Sequence, residues 1–329
     1  MYAIAISIRQ GRGFFRALGD IIIVGVRTRS AAWLPHTRRD IMMLCGACER
    51  LLPDDAFSVE QRGLRRSIRR CIACVEAGNQ LVLMKRGTTR DDDICSVCQL
   101  PLPIEETEYR MQPCCMNLVC NGCILSFYKC GINNCPFCRA TIPSDDSQVI
   151  AMVKKRVAAS DPAAICFYGS LLAWGGCGLV KDVRKAITLC HQAAEQGVKE
   201  AHIILGSMYA GNYKEYSGND GIGLDFARSN HHHEEAAMRG HVLSRFNMGV
   251  VEYNDGHRHL ALQHFLISAK LGHKASLGAV QRLLKEGIAT EKDYAGALQE
   301  CEAAVDEMSS PSRDEAKTAL AKPWAGGRS

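Results

Sequence analysis

The sequence predicts a multidomain chain in which two small zinc-stabilised modules precede an α-helical solenoid of helix-hairpin repeats. Two observations predict this fold class. Thirteen of the 17 cysteines lie between residues 45 and 138, whereas the chain beyond residue 162 repeats a helical pattern every 30 to 45 residues or so. A length of 329 residues allows two or three domains.

Residues 1–40 form a basic segment with seven arginines, two aspartates and no cysteine. We expect this segment to be disordered. An organelle transit peptide, which is also amphipathic and arginine-rich, is the alternative that we do not favour. A third interpretation is an extension upstream of the true start, because Met42 and Met43 stand just before the first cysteine. Whether residues 1–40 belong to the mature chain stays open.

The net charge gives no argument for a nucleic-acid partner. Residues 1–40 already account for the whole formal charge of +5, so the remainder is neutral. No apolar run approaches the 18 or so residues that a membrane helix needs, which excludes a membrane span.

The cysteines occur mainly as pairs with two residues between them. Two thiolates with this spacing lie on one tight turn, and two such pairs form a tetrahedral zinc site. A disulfide framework would need an oxidising compartment and a secretory signal, and no such signal is visible. We therefore expect zinc and a reducing compartment, cytoplasmic or nuclear. The five pairs are Cys45/Cys48, Cys71/Cys74, Cys95/Cys98, Cys120/Cys123 and Cys135/Cys138.

Residues 41–78 form the first cysteine module. Its four cysteines, Cys45, Cys48, Cys71 and Cys74, predict one zinc site of the ribbon or knuckle type. Five arginines precede Cys71 and could contact phosphates, with Phe57 as a stacking aromatic. We favour a solvated basic face instead, and nucleic-acid binding is the weakest function that we considered. These arginines are Arg62, Arg65, Arg66, Arg69 and Arg70.

The composition of residues 79–91 predicts a polar linker.

Residues 92–143 form the second cysteine module, which is denser. Cys95-x2-Cys98, Cys114-Cys115-x4-Cys120-x2-Cys123 and Cys135-Pro136-Phe137-Cys138-Arg139 resemble a RING finger. The resemblance implies a cross-brace of two zinc ions, in which ligand pairs alternate along the chain. One implied site is Cys95, Cys98, Cys120 and Cys123, and the other is Cys114, Cys115, Cys135 and Cys138. With the first module, three zinc ions are expected.

The second implied site departs from the RING pattern because the usual histidine is missing. Asn117 stands at its place, and asparagine is a poor zinc ligand beside thiolate. We expect an all-cysteine variant that uses the adjacent Cys114 and Cys115, with Cys130 as the alternative ligand.

The RING resemblance implies a ubiquitin ligase that binds a ubiquitin-conjugating enzyme and forms no covalent intermediate itself. Such a protein accelerates transfer by positioning the thioester. The matching contact residues are Val97, Phe127, Pro136 and Arg139. They could equally be core and turn residues of a small module. The alternative function is a non-catalytic, zinc-dependent scaffold or adaptor.

Residues 144–161 predict a connecting helix, and Asp161 with Pro162 predicts the start of the next helix. Residues 162–308 repeat two motifs, which predicts about four helix hairpins. The first is Ala164…Tyr168-Gly169, Ala201…Leu205-Gly206 and Ser244…Met248-Gly249; the second is Ala193-Ala194…Gly197, Ala236-Ala237…Gly240 and Ser268-Ala269…Gly272. These motifs resemble Sel-one-like repeats, relatives of the tetratricopeptide repeat. The resemblance implies a protein partner, here an unidentified substrate.

Three further features of the sequence concern its C-terminal half. Residues 309–329 are predicted to form a frayed tail. His231, His232 and His233 are expected on an exposed helix face rather than at a metal. Cys166, Cys177, Cys190 and Cys301 read as small buried residues. The oligomeric state and the particular conjugating enzyme are not encoded in these patterns.

Overall fold

The computed structural model describes residues 41–211 and 223–321. The basic segment 1–40 and residues 322–329 of the predicted tail lie outside these ranges. The described chain divides into two compact units, one ending at Thr88 and the other beginning at Thr89.

The first unit is a small β-hairpin followed by three short helices. Strands β1 (Met42–Leu44) and β2 (Leu51–Pro53) pair antiparallel, and the turn between them carries the first cysteine pair. Helices α1 (Val59–Arg62), α2 (Ile72–Glu76) and α3 (Val82–Lys85) complete the unit.

Helix α3 lies inside residues 79–91, which the sequence predicted to be a polar linker. Leu83 and Met84 are 2% exposed, so this stretch belongs to the core of the first unit. The apolar run from Leu81 to Met84 provides the burial that a linker would lack.

The second unit begins with the second cysteine module. Strands β3 (Tyr109–Met111) and β4 (Leu118–Cys120) pair antiparallel, and helix α4 (Asn121–Lys129) follows at once. Leu102 and Val119 pack with the buried cysteines in a very small core. A segment with so little apolar volume needs a further constraint to stay folded.

A long helical region follows. Its helices are α5 (Asp146–Ala158), α6 (Pro162–Trp174), α7 (Val183–Glu195), α8 (Lys199–Tyr209), α9 (Phe226–Met238), α10 (Val242–Asn254), α11 (Arg258–Lys270), α12 (Lys274–Lys285), α13 (Glu291–Glu307) and α14 (Pro311–Ala321).

Helices α6 to α13 form four consecutive hairpins, so this region is a solenoid-like helical repeat. The Asp161 side chain caps α6 by accepting hydrogen bonds from the amides of Ala163 and Ala164, as the Asp-Pro pair predicted. The turns after α7, α9 and α11 contain Gly197, Gly240 and Gly272, which have φ of 89°, 85° and 96°. Glycine adopts this conformation without steric cost, which explains the second repeated motif.

The second cysteine module packs against the repeats within the same unit, although the sequence treated them as separate domains. Asp93 pairs with Lys199 at the start of α8 and with Arg90, and all three side chains are less than 15% exposed. The guanidinium of Arg156 on α5 donates to the carbonyl of Cys114, at 3.1 Å.

Helix α14 lies in the segment that the sequence predicted to be a frayed tail. It packs against α4 of the second cysteine module. Ala316 is 1% exposed and Arg313 is 3% exposed, so one face of this helix is buried. The prediction was wrong for residues 311–321 because the partner of this face is far away in sequence.

Among the helices of the described ranges, none has the length and apolar character needed to cross a membrane.

Candidate metal centres

Three groups of four cysteines meet in space. Within each group the sulfur atoms lie within 4.8 Å of one another. The groups are Cys45, Cys48, Cys71 and Cys74; Cys95, Cys98, Cys120 and Cys123; and Cys114, Cys115, Cys135 and Cys138. We refer to them as centre 1, centre 2 and centre 3.

The spacing between the sulfur atoms fits a tetrahedral metal ion. The Sγ–Sγ distances are 3.9 Å for Cys95–Cys123, 3.9 Å for Cys98–Cys120 and 3.7 Å for Cys115–Cys135. Zn–S bonds of about 2.3 Å in a tetrahedron place the sulfurs about 3.8 Å apart, whereas a disulfide bond requires about 2.05 Å. All of these cysteines are free thiols in the structure. The donor set and the distances therefore fit zinc.

Centres 2 and 3 alternate along the chain. The second pair of centre 2, Cys120 and Cys123, lies between Cys115 and Cys135 of centre 3. Two metal ions bound in this way would cross-link both ends of the segment that contains β3, β4 and α4.

Cys130, the alternative ligand for centre 3, is exposed at the end of α4 and is not part of the group. Asn117, which stands where a RING histidine is expected, donates its side-chain N–H to the sulfur of Cys115, at 3.4 Å. It thus contacts the sulfur of a candidate ligand.

The same backbone turn occurs at all three centres. The residue after the second cysteine of a pair is left-handed, with φ of 56° at Glu49, 58° at Gln99 and 61° at Arg139. Its amide donates to the carbonyl of the first cysteine, at 2.9, 2.9 and 3.0 Å respectively. This turn directs both thiols of a pair to one side. Sequence spacing indicated the turn but not the left-handed residue, which is rarely a non-glycine.

Hydrogen bonds prepare some of the thiols for ionisation. The Cys120 thiol lowers the pKa of Cys95 to about 4. Burial opposes ionisation of Cys48, but hydrogen bonds from Arg50, Cys45 and Cys74 lower its pKa to about 6. The thiolate is the form that binds a metal ion, so these hydrogen bonds favour the metal-binding form at Cys95 of centre 2 and at Cys48 of centre 1.

Each centre also receives at least one side-chain N–H donor from outside the group. Asn79 donates to Cys74 at 3.4 Å, Asn117 donates to Cys115 at 3.4 Å, and Arg313 donates to Cys98 at 3.4 Å. Donors of this kind orient and stabilise metal ligands.

The four residues that the resemblance implied as conjugating-enzyme contacts are accessible to different degrees. Val97 is 36% exposed, and Pro136 and Arg139 are exposed. Phe127 is half-buried against the core of the second module.

The arginines of the first module contact its own backbone. Arg62 donates to the carbonyl of Phe57, Arg69 to that of Leu64, and Arg70 to that of Asn79. Phe57 itself is 1% exposed, so it cannot stack on a nucleic-acid base. The structure therefore contradicts the stacking role that the sequence allowed for Phe57.

The expectation that the three histidines lie on an exposed face was wrong for two of them. His232 and His233 are 6% and 9% exposed. The ring of His232 stacks on Tyr209 with centroids 5.7 Å apart. The ring of His233 occupies the space beside Gly206, where a β-carbon would lie 2.9 Å from Nε2.

A fourth group of potential metal ligands was missed, so the described residues contain four such groups and not three. It consists of Glu252, Asp255 and His257 around the end of α10. His257 Nδ1 lies 2.8 Å from a carboxylate oxygen of Glu252. Cysteine spacing could not reveal this group because it contains no cysteine.

Comparisons with known proteins concern the repeats. The crystal structure of a Sel1 repeat protein from Oxalobacter formigenes has a TM-score of 0.42 and 20% identity, and the match covers 61% of this chain and 78% of that one. A protective antigen present in uropathogenic Escherichia coli strains, which displays an SLR fold, has a TM-score of 0.41 and 20% identity over 61% of this chain and 41% of that one. No family model and no curated protein matches the chain.

Proposed function

We propose that this chain is a zinc-binding RING-type ubiquitin ligase. The observation that carries the proposal is the alternation of centres 2 and 3 along residues 95–138. In the proposed state, centres 1, 2 and 3 each hold one zinc ion. Bound zinc would supply structural cross-links here, because four cysteines leave no open position for catalysis.

The proposed mechanism is positioning of a ubiquitin thioester carried by a conjugating enzyme. Val97 and Pro136 lie in the cysteine loops of centres 2 and 3, and both are accessible to a partner. Phe127 would add the edge of its ring to an apolar contact. Holding the thioester and its attacking amine in a reactive geometry lowers the entropic part of the barrier.

Arg139 has a separate proposed role. Arg139 is the left-handed residue that completes the turn carrying Cys135 and Cys138. This turn therefore fixes the point on the backbone from which the exposed side chain of Arg139 extends. A guanidinium can donate to two acceptors at once, which suits a bridge between ubiquitin and the conjugating enzyme.

The helical repeats are the proposed binding region for a protein substrate. They expose apolar side chains, including Val180 at 86%, Leu224 at 48% and Phe226 at 42%. Because the second cysteine module packs against the start of α8 through Asp93 and Lys199, a substrate on the repeats would be held at a fixed distance from the thioester.

An autoubiquitination assay with a panel of conjugating enzymes tests the proposal. We expect activity in the zinc-loaded wild type, a loss of roughly tenfold or more in Val97→Ala, and a clear reduction in Arg139→Ala. Val250→Ala is a matched control because Val250 is also 36% exposed and lies on α10. Arg282→Ala, at an exposed position on α12, is the control for charge.

The assay also separates the ligase from the scaffold. Inactivity with every conjugating enzyme, in protein that retains its zinc, would refute the ligase and favour a non-catalytic adaptor. Equal losses in Val97→Ala and Val250→Ala would refute the assigned contact surface.

A further inference from the structure

Arg313 is a buried cation on α14 that reaches centre 2. One terminal nitrogen of its guanidinium donates to the carbonyls of Pro101 and Met308, both at 2.6 Å. The other lies 3.4 Å from the sulfur of Cys98 and 3.4 Å from the carbonyl of Leu100. Three of these four acceptors, in Cys98, Leu100 and Pro101, lie at the end of the first cysteine pair of centre 2 or just after it.

Within residues 41–211 and 223–321, no carboxylate pairs with the charge of Arg313. Its hydrogen-bond partners there are carbonyl oxygens and the sulfur atoms of Cys98 and Cys120. Arg313 is 3% exposed, and a guanidinium would be costly to bury without a counter-charge. Four thiolates around a Zn²⁺ ion carry a net charge of about −2, and Cys98 is one of these four ligands.

The position of α14 is also fixed by shape. A β-carbon on Gly122 of α4 would lie 2.8 Å from the backbone nitrogen of Arg313. Only a residue without a side chain at position 122 allows this approach. Ion pairs flank the contact, between Lys317 and Glu108 at 3.2 Å and between Lys129 and Glu315 at 2.5 Å.

We propose that Arg313 is an outer-sphere partner of the metal ion at centre 2, and that α14 is therefore a structural part of the second cysteine module. The guanidinium would balance the charge of the metal–thiolate group and hold the loop of Cys98 in place. The C-terminal helix and the metal would then stabilise each other, so that loss of either weakens the other. This inference depends on zinc at centre 2 but not on ligase activity.

Release of zinc from the full chain to a chromogenic chelator tests the proposal. In Arg313→Gln, we expect one ion to leave about 10- to 100-fold faster than in the wild type, because outer-sphere substitutions weaken metal affinity by this factor. The other ions should leave at wild-type rates. Lys285→Gln is the control for loss of a positive charge, since Lys285 is exposed on α12, and it should behave as the wild type. Unchanged release in Arg313→Gln, or equal acceleration of all ions, would overturn the proposal.

A second measurement tests the proposal even if the protein does not fold with glutamine at position 313. Arg313→Lys keeps the buried positive charge but replaces the planar guanidinium, which has two terminal donor nitrogens, by a single ammonium group. With cadmium bound in place of zinc, the ¹¹³Cd resonance of one centre should shift in this variant while the other resonances stay in place. If none of the resonances moves, Arg313 has no contact with a ligand sulfur and the proposal fails.

Discussion

The ring of Phe265 on α11 fills the space that Gly249 on α10 leaves by having no side chain. A β-carbon built on Gly249 would lie 2.5 Å from Cε1 of Phe265, and Phe265 is 3% exposed within the core of the last hairpins. The same relationship joins Gly169 to Cys190 and Gly206 to His233, each at 2.9 Å. The glycine of the first repeated motif is therefore the point at which the two helices of a hairpin come together.

Gly249→Ala should destabilise the repeats. The added methyl group would force the buried ring of Phe265 to move, and overpacking of this kind costs about 1–3 kcal/mol. Urea unfolding followed by circular dichroism would measure the change.

Gly278→Ala is the matched control because Gly278 lies within α12 and a β-carbon there meets no atom within 4 Å. This substitution should stabilise the protein by about 0.5–1 kcal/mol through helix propensity. Destabilisation of similar size in both variants would contradict the packing role of Gly249.

The stability of the repeats should fall as the medium becomes acidic. His241 caps α10 by accepting a hydrogen bond at Nδ1 from the amide of Ser244, at 3.1 Å. Burial lowers the pKa of His241 to about 3, assisted by the charges of His233, Lys199, Arg90 and His273. Because the folded-state pKa lies below the unfolded value of 6.5, the unfolded chain binds the proton first. The contribution of His241 is therefore full above pH 6.5 and declines below it.

His241→Asn isolates this contribution. Asparagine is a good N-cap residue but does not titrate, so the variant should lose less stability than the wild type below about pH 6.5. The difference in slope should approach 1.4 kcal/mol per pH unit at most. Thermal unfolding at a series of pH values would measure it, and parallel curves for the two proteins would contradict the prediction. Both proteins contain the same cysteines, so acid release of metal should affect the two unfolding curves alike.

The pair between Asp93 and Lys199 should hold the second cysteine module to the repeats. Asp93→Asn leaves Lys199 and Arg90, whose side chains are 14% and 11% exposed, without their carboxylate. Breaking a buried pair from one side costs about 3 kcal/mol, and denaturant unfolding would measure it. Glu300→Gln breaks the pair between Lys270 and Glu300, which is about half exposed, and should cost less than about 1 kcal/mol. Equal effects would show that the pair at Asp93 is as weak as a surface pair.

The features that could be predicted from sequence are local. Two cysteines with two residues between them share one turn, and the helical motifs recur at Gly169, Gly206 and Gly249 with regular spacing. Both patterns are contained in short stretches of the chain. They led to the two cysteine-rich modules and to the four hairpins.

The features that could not be predicted depend on distant partners. Arg313 meets Cys98 across 215 positions, and no local pattern near residue 313 indicates a metal centre. His232 lies on a polar stretch of α9, yet Tyr209 and His202 of α8 cover it. The alanine-rich, charged sequence of residues 311–321 has a weak apolar face, and the surface of α4 gives that face a place to pack.

Metal content measured on freshly purified full chain tests the central claim most directly. We predict three zinc ions per chain, one at each group of four cysteines, and two in Cys45→Ser, because serine removes a ligand from centre 1 alone. Protein without zinc, or mass mapping that finds these cysteines joined in disulfide bonds, would contradict the account.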